Sequence, residues 1–98
     1  MKVNFNVSAN YFSGSPLVVL GKEVNIAEEL GKTMFFYGNN EQASIDEKYK
    51  AYKIGQKLSN GDTEYTAEEL SFIKEMAGRS LAAGVYGQIV DLIEGVRD

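Results

Sequence analysis

The stretch Lys57-Leu58-Ser59-Asn60-Gly61-Asp62-Thr63-Glu64-Tyr65-Thr66-Ala67-Glu68-Glu69 admits two unlike structures, and the choice between them decides the fold. One is the rear of a calcium-binding helix–loop–helix. Aligning Glu69 with the bidentate last ligand places Asn60 and Asp62 at ligand positions. It also puts Leu58 where the first carboxylate belongs, and Thr63 where the loop needs glycine for its sharp turn. In the other structure, Asn60-Gly61 ends one helix with a left-handed residue, and Thr66 opens the next with Glu69 reaching back to it. That reading uses every residue, so the expectation is a helical pair joined by a short turn, with no metal and no cofactor.

Upstream, Ser44-Ile45-Asp46-Glu47 is a capping box that predicts a helix from Ile45 to about Ser59. Asn25 followed by Glu28 starts another, from Ile26 to about Tyr37, with Ile26, Ala27, Leu30, Met34 and Phe35 as its buried stripe. Gly38-Asn39-Asn40 stops it. Before that, Val3, Phe5, Val7 and Ala9 alternate with Asn4, Asn6 and Ser8 as in a half-buried strand. Ser13-Gly14-Ser15-Pro16 is a turn cluster. Leu17-Val18-Val19-Leu20 then reads as a second strand, antiparallel to the first and broken by Gly21-Lys22-Glu23.

Downstream, the helix opened by Thr66 runs to about Ala77, where Gly78 closes it, and Ser80 caps a fourth running to about Val96. Leu81, Val85, Tyr86, Ile89, Val90, Leu92, Ile93 and Val96 cover more than half of that last helix, which leaves Gln88, Asp91 and Glu94 on a polar arc. Gly84 and Gly87 either admit a close backbone or mark a helix that starts late, near Tyr86. The expected fold is therefore α+β: an N-terminal β-hairpin followed by about four helices packed around a buried C-terminal helix. Ala-Glu-Glu-Leu occurs at 27–30 and at 67–70, which reads as two helix starts obeying one rule rather than as a duplication.

Ninety-eight residues make one domain, spanning 1–98, with a single core. There is no cysteine and no histidine, which excludes disulfides, thiolate zinc sites, and imidazole or thiol catalysis. The absence of cysteine favours a reducing compartment. The first seven residues alternate rather than forming an apolar signal segment, and no apolar run approaches about 18 residues. The expected location is the cytoplasm, away from membranes. A net charge of −4, with the acid concentrated downstream, argues against direct binding to duplex DNA. Glu28, Glu29, Glu68 and Glu69 are paired acids, but each pair sits in a first helical turn, where acids favour the macrodipole. No catalytic site is nominated, and a non-enzyme is expected.

The candidate sites lie on the helix that begins at Ile45. Ile45, Tyr49 and Tyr52 form one apolar stripe, and Ala51, Ile54 and Leu58 form another. One stripe serves the core; the second points to deep burial or to a partner surface, and a homo-oligomer is the expected use. Phe12, Phe35, Phe36 and Tyr37 add apolar surface beyond the needs of a small core. Lys50, Lys53 and Lys57 lie within about 60° of one another and are the candidates for holding an anion, with Asp46 in the same arc.

Several segments taken together carry a resemblance. Val24-Asn25-Ile26 with Leu30 is followed by Lys48-Tyr49-Lys50-Ala51-Tyr52-Lys53 and Lys57-Leu58-Ser59-Asn60-Gly61. Tyr65-Thr66-Ala67-Glu68-Glu69-Leu70, Ile73-Lys74, Gly87-Gln88 and Leu92-Ile93-Glu94 complete the series. In order and spacing the chain resembles a group of small proteins encoded by tailed phages and prophages. The aromatic segments Asn10-Tyr11-Phe12 and Phe35-Phe36-Tyr37 depart from that pattern. The resemblance implies a mobile-element setting and a small accessory role. The expected function is a self-associating interaction or adaptor module with an unidentified protein partner. The alternatives are a small anionic-ligand binder, or an accessory factor in nucleic-acid metabolism acting through protein.

Overall fold

In the computed structural model, residues 1–39 and 42–95 are described. Both capping boxes form reciprocally. Ser44 Oγ accepts from the Glu47 amide while Glu47 accepts from the Ser44 amide, and Thr66 and Glu69 repeat the arrangement. Asn25 Oδ1 accepts from the Glu28 amide. These caps start α1 (Ile26–Phe35), α2 (Ile45–Asn60) and α3 (Ala67–Ser80), and α4 (Ala83–Glu94) follows. Gly61 ends α2 at φ 76°, the left-handed position that the turn requires. Both Ala-Glu-Glu-Leu segments lie at helix starts.

The hairpin differs from expectation. Its strands are β1 (Val18–Val19) and β2 (Lys22–Glu23), antiparallel, with Val19 opposite Lys22. Leu20 and Gly21 both take positive φ, 53° and 78°, which makes the tight two-residue turn whose twist suits a hairpin. Gly21 therefore reverses the chain into a return strand instead of breaking one. The first apolar segment is no regular strand, although Val3, Phe5 and Ala9 are buried and Asn4, Asn6 and Ser8 exposed as the alternation requires. It forms single bridges to three places: Lys2 to Glu64, Ser8 to Asn25 and Asn10 to Pro16. At its end, three backbone bonds close a ring. The Ala9 amide donates to Val24 O, the Val24 amide to Leu17 O, and the Leu17 amide to Ala9 O.

The core joins Val3, Phe5 and Ala9 to Ile26, Leu30 and Met34 of α1, and to Ala51, Ile54 and Leu58 of α2. From α3 it takes Leu70, Phe72, Ile73, Met76 and Ala77. Phe35 is exposed, contrary to expectation, because it lies about 100° round the helix from Met34. The last helix is not the central one. Among its described residues only Ile89 and Ile93 are fully buried, whereas α3 buries five, and α4 lies chiefly against α3. Val85, Tyr86, Val90 and Leu92 are only partly buried, so its apolar composition overstates its burial; Val96 lies outside the described residues, as does Asn40.

The junction of α3 and α4 also departs from the sequence reading. Gly78 is inside α3, and Ser80 is that helix's last residue rather than a cap, since Ala82 precedes α4 without a side-chain capping bond. A Cβ on Gly78 would meet the Tyr86 ring at 3.2 Å, so glycine here lets α4's tyrosine lie against α3. At Gly84 and Gly87 a Cβ would meet nothing, so neither marks a close approach. Gln88 is paired, not idle. Its side chain accepts from the Asn10 amide (2.8 Å) and donates to Asn10 O (2.7 Å), clasping the N-terminal segment to α4.

Candidate interaction surface

At about 100° per residue, Ala51, Ile54 and Leu58 fall close to the side of α2 opposite Ile45, Tyr49 and Tyr52. The inner three are buried. The outer three are 86%, 62% and 57% exposed. The Tyr49 and Tyr52 rings stack, 5.9 Å between centroids, and Gln56 Nε2 donates to Tyr52 Oη. The predicted stripe is therefore an exposed outer face of α2.

The face extends onto α1. Phe35, 81% exposed, and Phe36 pack edge to face at the end of that helix. Together with Tyr52 they border an open groove of about 860 Å³ between α1 and α2. The groove's lining includes Ala27, Gly31 and Gly55, small residues that leave it wide. Sequence reasoning singled out Phe35 and Phe36 as surplus aromatic surface but did not join them to Tyr52, because only the packing of α1 on α2 does so. A separate exposed apolar group occupies the N-terminal turns, where Phe12 and Leu20 stand almost fully in solvent.

The three candidate lysines lie on α2's other flank, and two of them reach α3. Lys50 pairs with Glu68 at 3.0 Å and Lys57 with Glu69 at 2.8 Å. Lys53 Nζ sits 6.0 Å from the centre of the Tyr49 ring. Two of the three thus hold α3's first turn, and their charge is matched there. Lys57 also lies 4.6 Å above the Tyr65 ring. Burial disfavours the Glu69 carboxylate, but hydrogen bonds from Lys57 and from the Thr66 amide, with the Lys57 charge, outweigh it and hold Glu69 below its usual pKa. Burial, reinforced by Asp62 and Glu69, pushes the Tyr65 hydroxyl up to about 12, and that hydroxyl donates to Asp62 O. In the 58–69 segment Glu69 therefore serves as cap and ion-pair partner.

Among the described residues, no group of acids is arranged to hold a metal ion, and no helix is long and apolar enough to cross a membrane. Comparisons with protein-family models, curated proteins and solved structures find no match.

Proposed function

We propose that the chain is a small non-enzymatic interaction module that self-associates through the outer face of α2 and the end of α1. One observation carries this reading: Ile45, Tyr49 and Tyr52 make an exposed face on α2, and Tyr52 borders a groove together with the exposed Phe35 and Phe36. Aromatic side chains carry roughly 150–250 Å² each, so four that are more than half exposed offer on the order of 500 Å². That is a large part of the roughly 800 Å² per partner in a standard interface. Tyrosine suits such a face, since its ring is covered while its hydroxyl keeps a polar contact. The net charge of −4 supports action through protein rather than on nucleic acid directly. The resemblance to phage-encoded proteins supports an adaptor role in a cytoplasmic, mobile-element setting.

Light scattering at tens of micromolar tests this reading. The expected result is a homodimer or larger closed oligomer. The double change Tyr49→Ser with Tyr52→Ser should reduce it to a folded monomer with an unchanged circular dichroism spectrum. A wild-type monomer mass would overturn the proposal, as would an oligomer that the double change leaves intact.

A further inference from the structure

Resting on that reading, we infer that the occupant of the α2 face is the α2 helix of a second copy, lying antiparallel across a two-fold axis between Tyr49 and Tyr52. The first argument is spacing. Ile45, Tyr49, Tyr52 and Gln56 follow one another at intervals of four, three and four, the seam by which one helix packs along another. All four are exposed, and they run along one side of α2 for about 17 Å at 1.5 Å per residue. A strand or an irregular loop has no use for that interval.

The second argument is charge. Asp46 and Lys53 stand on the same flank of the seam, and among the described residues neither forms an ion pair. In an antiparallel pair with Ile45 opposite Gln56 of the second copy, Tyr49 meets Tyr52. Asp46 then comes beside Lys53 of the second copy, and symmetry repeats the attraction. A parallel pair brings Lys48 beside Lys53 of the second copy instead, and symmetry doubles that repulsion. The polar Gln56 in an otherwise apolar seam favours one register over its neighbours. On the opposite flank, Gly55 has no side chain, and with Phe35 and Phe36 it borders the groove that receives the second helix.

The chain has no cysteine, so introduced thiols report without background. Ile45→Cys protein mixed with Gln56→Cys protein should give the mixed disulfide as the main oxidised product. Lys53→Asp should weaken dimerisation about tenfold or more, as should Asp46→Lys, by creating two like-charge contacts. Mixing those two variants should restore affinity to near the wild-type value, because each supplies the charge that the other lacks. A disulfide joining position 45 of one copy to position 45 of the other in Ile45→Cys protein alone, or tighter association of Lys53→Asp, would establish a parallel pair and overturn the inference while leaving self-association intact. A dimer dissociated by the tyrosine changes but indifferent to both charge changes would also overturn it. A wild-type monomer defeats both proposals.

Discussion

Helix α2 carries two apolar seams of similar length and nearly opposite direction, and their surroundings differ completely. Ala51, Ile54 and Leu58 are buried in the core shared with α1, α3 and the N-terminal segment, while Ile45, Tyr49 and Tyr52 are exposed. The side chains differ in kind as well. The inner seam is aliphatic and has no polar atom to satisfy. The outer one is mainly tyrosine, whose hydroxyls need a partner or water. Periodicity reports that a helix has a seam, and side-chain chemistry adds what kind of neighbour the seam takes. The comparison teaches that periodicity alone does not say which of two seams on one helix is buried.

The largest effect that tests this contrast is truncation of matched isoleucines. Ile54 is fully buried, so Ile54→Ala should cost about 2–5 kcal/mol in chemical denaturation. Ile45→Ala, measured on dissociated protein, should stay within about 0.5 kcal/mol, since it removes exposed surface. Equal losses would mean that the two seams are not distinguished by burial.

A smaller effect separates two glutamines that flank apolar arcs. Gln88 holds both backbone groups of Asn10, whereas Gln56 contacts Tyr52 Oη on the outside. Gln88→Ala should cost about 1–2 kcal/mol, near the worth of two hydrogen bonds whose partners lie close to solvent. Gln56→Ala should leave the monomer's stability unchanged. Urea unfolding of both variants checks the difference.

The smallest effect concerns the α3 flank. Glu69→Gln should cost about 1 kcal/mol at neutral pH, and Glu68→Gln, whose carboxylate is largely in solvent, almost nothing. The sign with pH follows from Glu69's lowered pKa. The unfolded chain binds this proton more readily, so Glu69's contribution is complete above the ordinary carboxylate value near 4.5 and is lost as pH falls through the lower folded value. Stability measured from pH 7 down to pH 2 should fall less steeply for Glu69→Gln than for the wild type.

The helix starts were legible because their causes are local. Ser44 with Glu47 and Thr66 with Glu69 each complete a capping box within four residues. The two stripes on α2 were legible for the same reason. What could not be read depends on distant partners. The bond from Gln88 to Asn10 spans 78 positions, and nothing near either residue announces it. The apolar breadth of α4 gave no sign that Val85, Tyr86, Val90 and Leu92 would be only partly buried. The segment from Val3 to Ala9 showed its alternation but not its partners, since it bridges three different segments. At the candidate surface, Tyr49 and Tyr52 could be named from the sequence, whereas Phe35, Phe36 and Gly55 joined them only through the packing of α1 on α2.

The ring formed by Ala9, Leu17 and Val24 has a consequence for how the N-terminal region comes apart. In an ordinary sheet an outer strand can peel away and leave the remaining pair intact. Here each of the three residues is donor to one neighbour and acceptor from the other, so withdrawing any segment strands an amide and a carbonyl on the two that stay. No segment is the outermost one, and fraying has no place to begin. The region should open in a single step or remain shut, and the clasp from Gln88 one residue beyond Ala9 ties that step to α4.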